Sequence, residues 1–396
     1  MGRPTTGARS LTMRSVPGNY EEFRAAARRR LPVPVFHYAD GGADDERSMS
    51  RNAAAFARLT FAPRALTDVS TISLGRSLLG RGAAMPLMLA PTGMSRLFHR
   101  DKEPGAARAA AAAGIPYGLS TLATTALEDV AAACHGPRYF QIYVFKDREL
   151  TRELVARCRA SRYDALCLTI DTPMAGNRER DRRTGMTLPP RFGLNGFASV
   201  LFRPAWARDL IADRDFRLAN VAHRVAGSTG AMELLGYVNR QFDRSVTWDD
   251  AAWLAREWGG PFVIKGVGSV ADAVRAKAIG ASAIMISNHG GRQLDDVAAP
   301  IELVSACREA VGNEVELIVD GGVRRGSDVV KALCLGADAC SVGRAYVYAL
   351  AAAGEAGVAR LLTILHDDIV RTMTLLGCAD VRKLDRSFLQ TLRCDV

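Results

Sequence analysis

In the stretch Ser287-Asn288-His289-Gly290-Gly291-Arg292-Gln293-Leu294-Asp295, an imidazole and a guanidinium stand three residues apart on a glycine-rich loop. Histidine is a base that works near neutral pH, and arginine presents a fork of donors that matches a carboxylate. An acid that must lose a proton would suit the pair. A solvated turn would carry the same residues, and only the surroundings separate the two readings. The run Ala283–Ile286 before it has strand length, and the two glycines permit backbone angles that a Cβ would forbid.

Other apolar runs end in the same way. From residue 85 onward a short apolar run, a polar or glycine loop and an alanine-rich helical pattern recur. This predicts strands at Pro86–Ala90, Tyr117–Leu119, Tyr139–Val144, Ala165–Ile170, Phe262–Ile264, Ala283–Ile286, Glu316–Val319 and Ala339–Val342. Helix starts are expected at Asn19 with Glu22, Thr125 with Glu128, Asp147, and Ser269 with Asp272. Eight strand–helix units make an α/β chain of the (β/α)8 TIM-barrel class, whose sites collect at the C-terminal strand ends.

Those ends carry Pro91-Thr92-Gly93-Met94, Ser120-Thr121, Gln141 with Tyr143, Thr169 with Asp171, Lys265, and then His289 with Arg292. Strand seven runs into Asp320-Gly321-Gly322-Val323-Arg324 and strand eight into Gly343-Arg344. Flexible amides and arginines at these two loops are the ingredients of a phosphate site, at the place where barrels often hold one. Any one of these residues could merely satisfy a strand end or cap a turn. Together they place polar groups at the same end of nearly every strand. Gly266-Val267-Gly268 lacks the spacing of a dinucleotide fingerprint.

The 396 residues carry a formal charge of +10, in a composition ordinary for a soluble enzyme. No aromatic-basic repeat or lysine-rich tail points to nucleic acid, so the surplus suits acidic small molecules or an anionic membrane surface. Eight scattered cysteines without a CxxC fit a reducing compartment, and the six histidines show no metal-ligand spacing. Residues 1–16 lack the apolar core of a signal peptide, and no uninterrupted apolar run approaches the roughly 20 residues of a spanning helix. An intracellular protein is expected, lying on a membrane if it meets one.

The predicted organisation is a loose segment at 1–18, one barrel domain over 19–384 that opens with a helical segment, and a tail at 385–396. Strands four and five are about 90 residues apart, too far for one crossover. The excursion at 190–246 carries Leu194, Phe197, Val200, Leu201, Phe202 and Trp206 beside Arg191, Arg203 and Arg208. It suits an interfacial segment, a lid on the barrel or a subunit contact.

With these residues assembled, the chain resembles the FMN-dependent α-hydroxy-acid oxidase and dehydrogenase family from Tyr20 to about Leu384. Ser287–Asp295 is the most specific motif, backed by Pro91–Met94, Gln141–Tyr143, Thr169–Asp171, Lys265-Gly266 and Asp320–Arg324. Within the family, Gly176–Asp181, Thr184–Thr187, Trp248–Lys265 and Ala345–Leu350 are most similar to the membrane-associated bacterial respiratory L-lactate dehydrogenases.

The resemblance implies FMN held by Pro91, Thr92, Gly93, Ser120, Gln141, Thr169, Lys265 and Ser287 around its ring. Asp320, Gly321, Gly322, Val323, Arg324, Gly343 and Arg344 would surround its phosphate. It implies His289 as the base and Asp171 as the partner of its imidazolium form. Tyr143 would bond the substrate hydroxyl, and Arg292, Tyr38 and Arg178 would bind the carboxylate. Gly93 stands where glycolate oxidases tend to carry alanine, and Leu122 where a bulky aromatic is common; both changes point away from glycolate oxidase activity.

The implied reaction is oxidation of an L-2-hydroxy acid, L-lactate first, with electrons passing to quinone or another acceptor. The alternatives are an oxidase that makes hydrogen peroxide and a dehydrogenase for an aryl acid such as mandelate. A flavin-binding protein without turnover would not need His289, Asp171 and Tyr143. The resemblance also implies a homo-oligomer, a tetramer in many relatives, and peripheral attachment to the cytoplasmic face of the inner membrane.

Overall fold

The computed structural model describes residues 16–186, 199–213, 216–224 and 231–391. Eight parallel strands close into a barrel: β1 (Leu87–Thr92), β2 (Tyr117–Ser120), β3 (Arg138–Ile142), β4 (Ala165–Thr169), β5 (Phe262–Val267), β6 (Ala283–Ser287), β7 (Glu316–Asp320) and β8 (Ala339–Val342). Each pairs with the next in the chain, and β8 returns to β1. Covered on both faces, the strands are near-continuous buried runs, and this made them legible as apolar stretches. Met88, Tyr139, Cys167, Val263, Met285 and Ile318 fill the barrel interior. The hairpin of Arg76–Leu78 and Arg81–Ala83 closes its lower end with Leu78 and Leu79.

Register explains why the site collects on one layer. Thr169 lies opposite Lys265, Ser120 opposite Gln141, and Asp320 opposite both Ser287 and Ser341. Each strand therefore changes from apolar to polar at the same height. Strand β5 runs three residues beyond its expected end, because Gly266 (φ +97°) lets the backbone turn at a register shift between Lys265 and Val267. A Cβ there would press on Asp171.

The chain enters through α1 (Tyr20–Arg30) and α2 (Val33–Asp40). Asn19 caps α1 by accepting from the Glu22 amide, and the expected caps Asp147 and Ser269 accept from Leu150 and Asp272. Thr125 does not cap. Its hydroxyl goes with that of Thr124 to the buried Glu103 carboxylate, and the helix begins only at Leu127.

Between β4 and β5 the excursion contributes α3 (Glu179–Thr184), α4 (Pro204–Ala212) and a helix over Ala231–Gln241. Leu194, Phe197 and Arg191 lie outside the described residues. The Trp206 indole N–H donates to the Leu97 carbonyl at 2.7 Å, and Arg96 donates to the Asp209 carbonyl at 2.7 Å, so α4 packs against the loop after β1. The last long helix, α5 (Arg344–Leu376), breaks at Ala353-Gly354 and packs on α1 and on the helix over Lys102–Ala112. Its length and a mean hydropathy of 1.4 over 18 residues would allow a membrane span, but its buried face makes it a core helix. The seven described cysteines are free and buried.

Candidate active site

The loop after β6 makes an unusual turn. His289, Gly290 and Gly291 all have positive φ (56°, 65° and 73°), and the His289 amide is held by the Ser287 hydroxyl at 3.0 Å. This turn brings His289 Nδ1 within 2.9 Å of Asp171 Oδ1, from the neighbouring end of β4. Burial opposes ionisation of Asp171, but His289, Lys265 and the Thr172 hydroxyl outweigh it and hold the carboxyl below its ordinary range. An ionised carboxylate on one ring nitrogen orients the imidazole.

Arg292 leaves the same turn. Its guanidinium donates to the carbonyls of Tyr38 (2.6 Å) and Gly41 (3.1 Å) and stands 5.1 Å from the Tyr38 ring centre. Arg178 approaches that ring at 5.4 Å. Burial and the charge of Arg178 push the Arg292 pKa down to about 10, so Arg292 remains a cation at neutral pH. Tyr143 packs edge-on against Phe242 at 5.0 Å, and burial, reinforced by Asp171, pushes its phenol upward; it stays a hydrogen-bond donor.

Beneath them, Lys265 Nζ donates to Ser287 Oγ at 3.0 Å and to Asp320, which also accepts from Ser287 Oγ at 2.7 Å. Burial works against both charges. Each outweighs it for the other, raising the Lys265 pKa and lowering that of Asp320. Gln141 Oε1 accepts from Ser120 at 3.2 Å, while Gln141 Nε2 and Thr169 Oγ1 are buried with no protein partner among the described residues. At the far end Gly322 packs so closely on Asn52 that a Cβ would overlap its carbonyl.

One cavity of about 680 Å³ joins these groups. Its lining includes Tyr38, Tyr143, Arg178, Lys265, His289 and Arg292, with Pro91, Thr92, Gly93 and Ser120, and with Asp320–Arg324 and Gly343-Arg344. Gln141, Thr169, Asp171 and Ser287 stand behind its wall. The Arg344 guanidinium braces loops, donating to the carbonyls of Ala39 (3.1 Å), Gly290 (2.6 Å) and Gly41 (2.7 Å). Arg324 lies 4.9 Å over the Tyr20 ring and 3.7 Å from Glu21.

Sequence reasoning passed over Gln293. Its amide donates to the carbonyls of Asp171 and Met174, both at 2.9 Å, and accepts from the Gly176 amide at 3.1 Å, tying the start of the excursion to the His289 turn. Its place beside Arg292 in the motif was the available signal.

The model of the FMN-dependent dehydrogenase family matches residues 27–391. The chain belongs to that family. It is 41% identical over 374 residues to the putative L-lactate dehydrogenase of Mycobacterium tuberculosis, covering 94% of this chain and 89% of the relative. It is 42% identical over 369 residues to the L-lactate dehydrogenase of Caulobacter vibrioides, covering 93% and 96%. Among solved structures it is similar to the monotopic membrane protein (S)-mandelate dehydrogenase, with a TM-score of 0.91 and 38% identity over 95% of this chain and all of that one.

As a member of this family the chain is an FMN-dependent oxidoreductase. The residues present fit that cofactor. The cavity is within the range of roughly 300–1,000 Å³ usual for such ligands, and Lys265 offers a buried cation. The unpartnered Gln141 amide and Thr169 hydroxyl offer polar groups, and Asp320–Arg324 with Gly343-Arg344 line the cavity as well.

Proposed function

We propose that this protein oxidises an L-2-hydroxy acid, L-lactate in the first instance, to the 2-oxo acid, with the electrons passed to quinone or another acceptor. The observation that carries the reading is the 2.9 Å His289–Asp171 pair beside Arg292 on one cavity wall. Arg292 binds the acid's carboxylate, with Arg178 and Tyr38 beside it. Tyr143, a protonated phenol, donates to the substrate oxygen. His289 takes the proton that must leave, and Asp171 stabilises the imidazolium that results. FMN, when bound, accepts the electron pair of the oxidation. Lys265, with Pro91, Thr92, Gly93, Ser120, Gln141, Thr169 and Ser287, would hold its ring. Residues 320–324 with Gly343 and Arg344 would hold its phosphate end.

An aryl acid such as mandelate is the second reading. Trp206, Leu210, Phe216, Val238 and Phe242 give the cavity an apolar wall larger than a methyl group requires, and one similar solved structure is a mandelate dehydrogenase. Peripheral membrane attachment is part of the proposal. Leu201 (81% exposed), Phe202 (75%) and Ile211 (66%) project beside Arg203 and Arg208 on the excursion, and that same structure is a monotopic membrane protein. Assembly into a homo-oligomer and a place on the cytoplasmic face complete the reading.

The test is the anaerobic visible spectrum of the holoenzyme with L-lactate, L-mandelate or glycolate added separately, followed by air. Bleaching by L-lactate with slow recolouring in air is expected. Bleaching by L-mandelate alone would establish the second reading, and fast recolouring would make the protein an oxidase. A yellow protein that no 2-hydroxy acid bleaches would overturn the proposal.

A further inference from the structure

Two arginines that line the cavity, Arg178 and Arg292, have one buried acid beside them that does not line it. Asp181, on α3, is only 6% exposed; its Oδ2 lies 3.2 Å from Arg178 Nε, and its Oδ1 is buried with no hydrogen-bond partner among the described residues. Arg178 is the residue on which α3 begins, and its guanidinium and that of Arg292 both stand about 5 Å from the Tyr38 ring. Arg292 donates to neutral carbonyls. Two like charges sharing one ring repel each other, and a long side chain between them needs an anchor to keep one orientation.

The backbone around Arg178 is fixed without Asp181. Asn177 donates to Asp44 at 2.6 Å and accepts from the Asp44 amide at 2.9 Å, while Arg180 donates to Asp40 at 2.9 Å and pairs with Glu46. What Asp181 adds is therefore local to a side chain. Its closest approach to the guanidinium, 3.2 Å, is an ion pair on the Nε side and not at a terminal nitrogen, and a planar carboxylate uses the terminal nitrogens.

We infer that Asp181 is a positioning residue: through Nε it holds the Arg178 guanidinium beside Tyr38 and Arg292, so that the acid's carboxylate meets two arranged arginines instead of one. This rests on the proposed reading of Arg178 and Arg292 as carboxylate ligands. It is distinct from a role as counter-charge, because a mere counter-charge would weaken anion binding and its removal would tighten it.

The test is a double-mutant cycle on the FMN-loaded enzyme, with Asp181→Ala, Asp181→Asn and Arg178→Met. The dissociation constant of oxalate, an unreactive dicarboxylate, is followed through the flavin spectrum, and KM and kcat are measured with the acid that bleaches the enzyme. Asp181→Ala should weaken oxalate binding about tenfold and raise KM more than it lowers kcat; Asp181→Asn, which keeps an acceptor for Nε, should weaken it about threefold. Both effects should vanish in the Arg178→Met background. Equal effects in the two backgrounds, or tighter binding in Asp181→Asn, would overturn the inference. If Asp181→Ala loses flavin, the Asn cycle decides alone. Unchanged oxalate affinity and KM in Arg178→Met would instead overturn the reading of Arg178 as a ligand.

Discussion

His289 sits in a left-handed backbone conformation that a side chain of its size seldom adopts, and the structure compensates with two polar contacts. Asp171 and Ser287 fix the ring and the amide, so the imidazole is preset before any substrate arrives. Replacing His289 with Gln should leave FMN bound but stop bleaching by the acid, a loss of at least about 10²-fold in the reductive rate; stopped-flow absorbance measures it. Arg292→Met should raise KM by roughly 10²-fold or more while sparing flavin content, since it removes one member of a desolvated charge pair; steady-state kinetics with a flavin count reads both.

At this scale much of the site was legible. Histidine, arginine, lysine and aspartate interrupt runs that are otherwise apolar, and each interruption marks a strand end. The partners of Arg344 were not legible. Its position after β8 is plain, but the carbonyls of Ala39, Gly41 and Gly290 that take its donors come from segments far away in sequence.

Between the elements, Asp40 is the main knot. Its carboxylate accepts two bonds from Arg24 (2.6 and 2.9 Å), one from Arg180 (2.9 Å) and one from Tyr348 (2.7 Å), joining α1, α2, α3 and α5. Burial opposes its charge, but these donors win and lower its pKa from 3.8 to about 2. A depressed carboxylate stabilises the fold fully above its unfolded pKa, and the contribution fades as pH falls through about 2. Asp40→Asn should therefore lower stability near neutrality by about 3 kcal/mol. It should also flatten the stability profile between pH 4 and 2, as thermal melts at several pH values would report.

The helix α2 that carries Asp40 and Tyr38 was not readable as a helix, because Pro32 and Pro34 open it and no side chain caps it. The failed Thr125 cap has the same origin. A local signal lost to Glu103, a tertiary partner 22 residues away.

For the whole molecule, the eight-strand barrel was visible because parallel strands buried on both faces leave continuous apolar runs. The excursion's length was visible too. Its packing was not, since Trp206 meets Leu97, and Asp209 meets Arg96, only in three dimensions. The outward face of that excursion yields a prediction for the intact enzyme. Phe202→Glu combined with Ile211→Glu should abolish sedimentation with anionic vesicles, while turnover with a soluble electron acceptor stays within about twofold.

Tyr38 and Arg292 touch across 254 positions of the chain, and Arg178 joins them from a third region. A polypeptide still emerging from the ribosome has no grip on an acid until β6 and its turn have been made and brought back to α2. Contacts of such long sequence separation close late. During refolding with FMN present, helical circular dichroism should recover first, and oxalate binding should lag behind it. Competence to hold the substrate thus doubles as a report that the chain has finished folding.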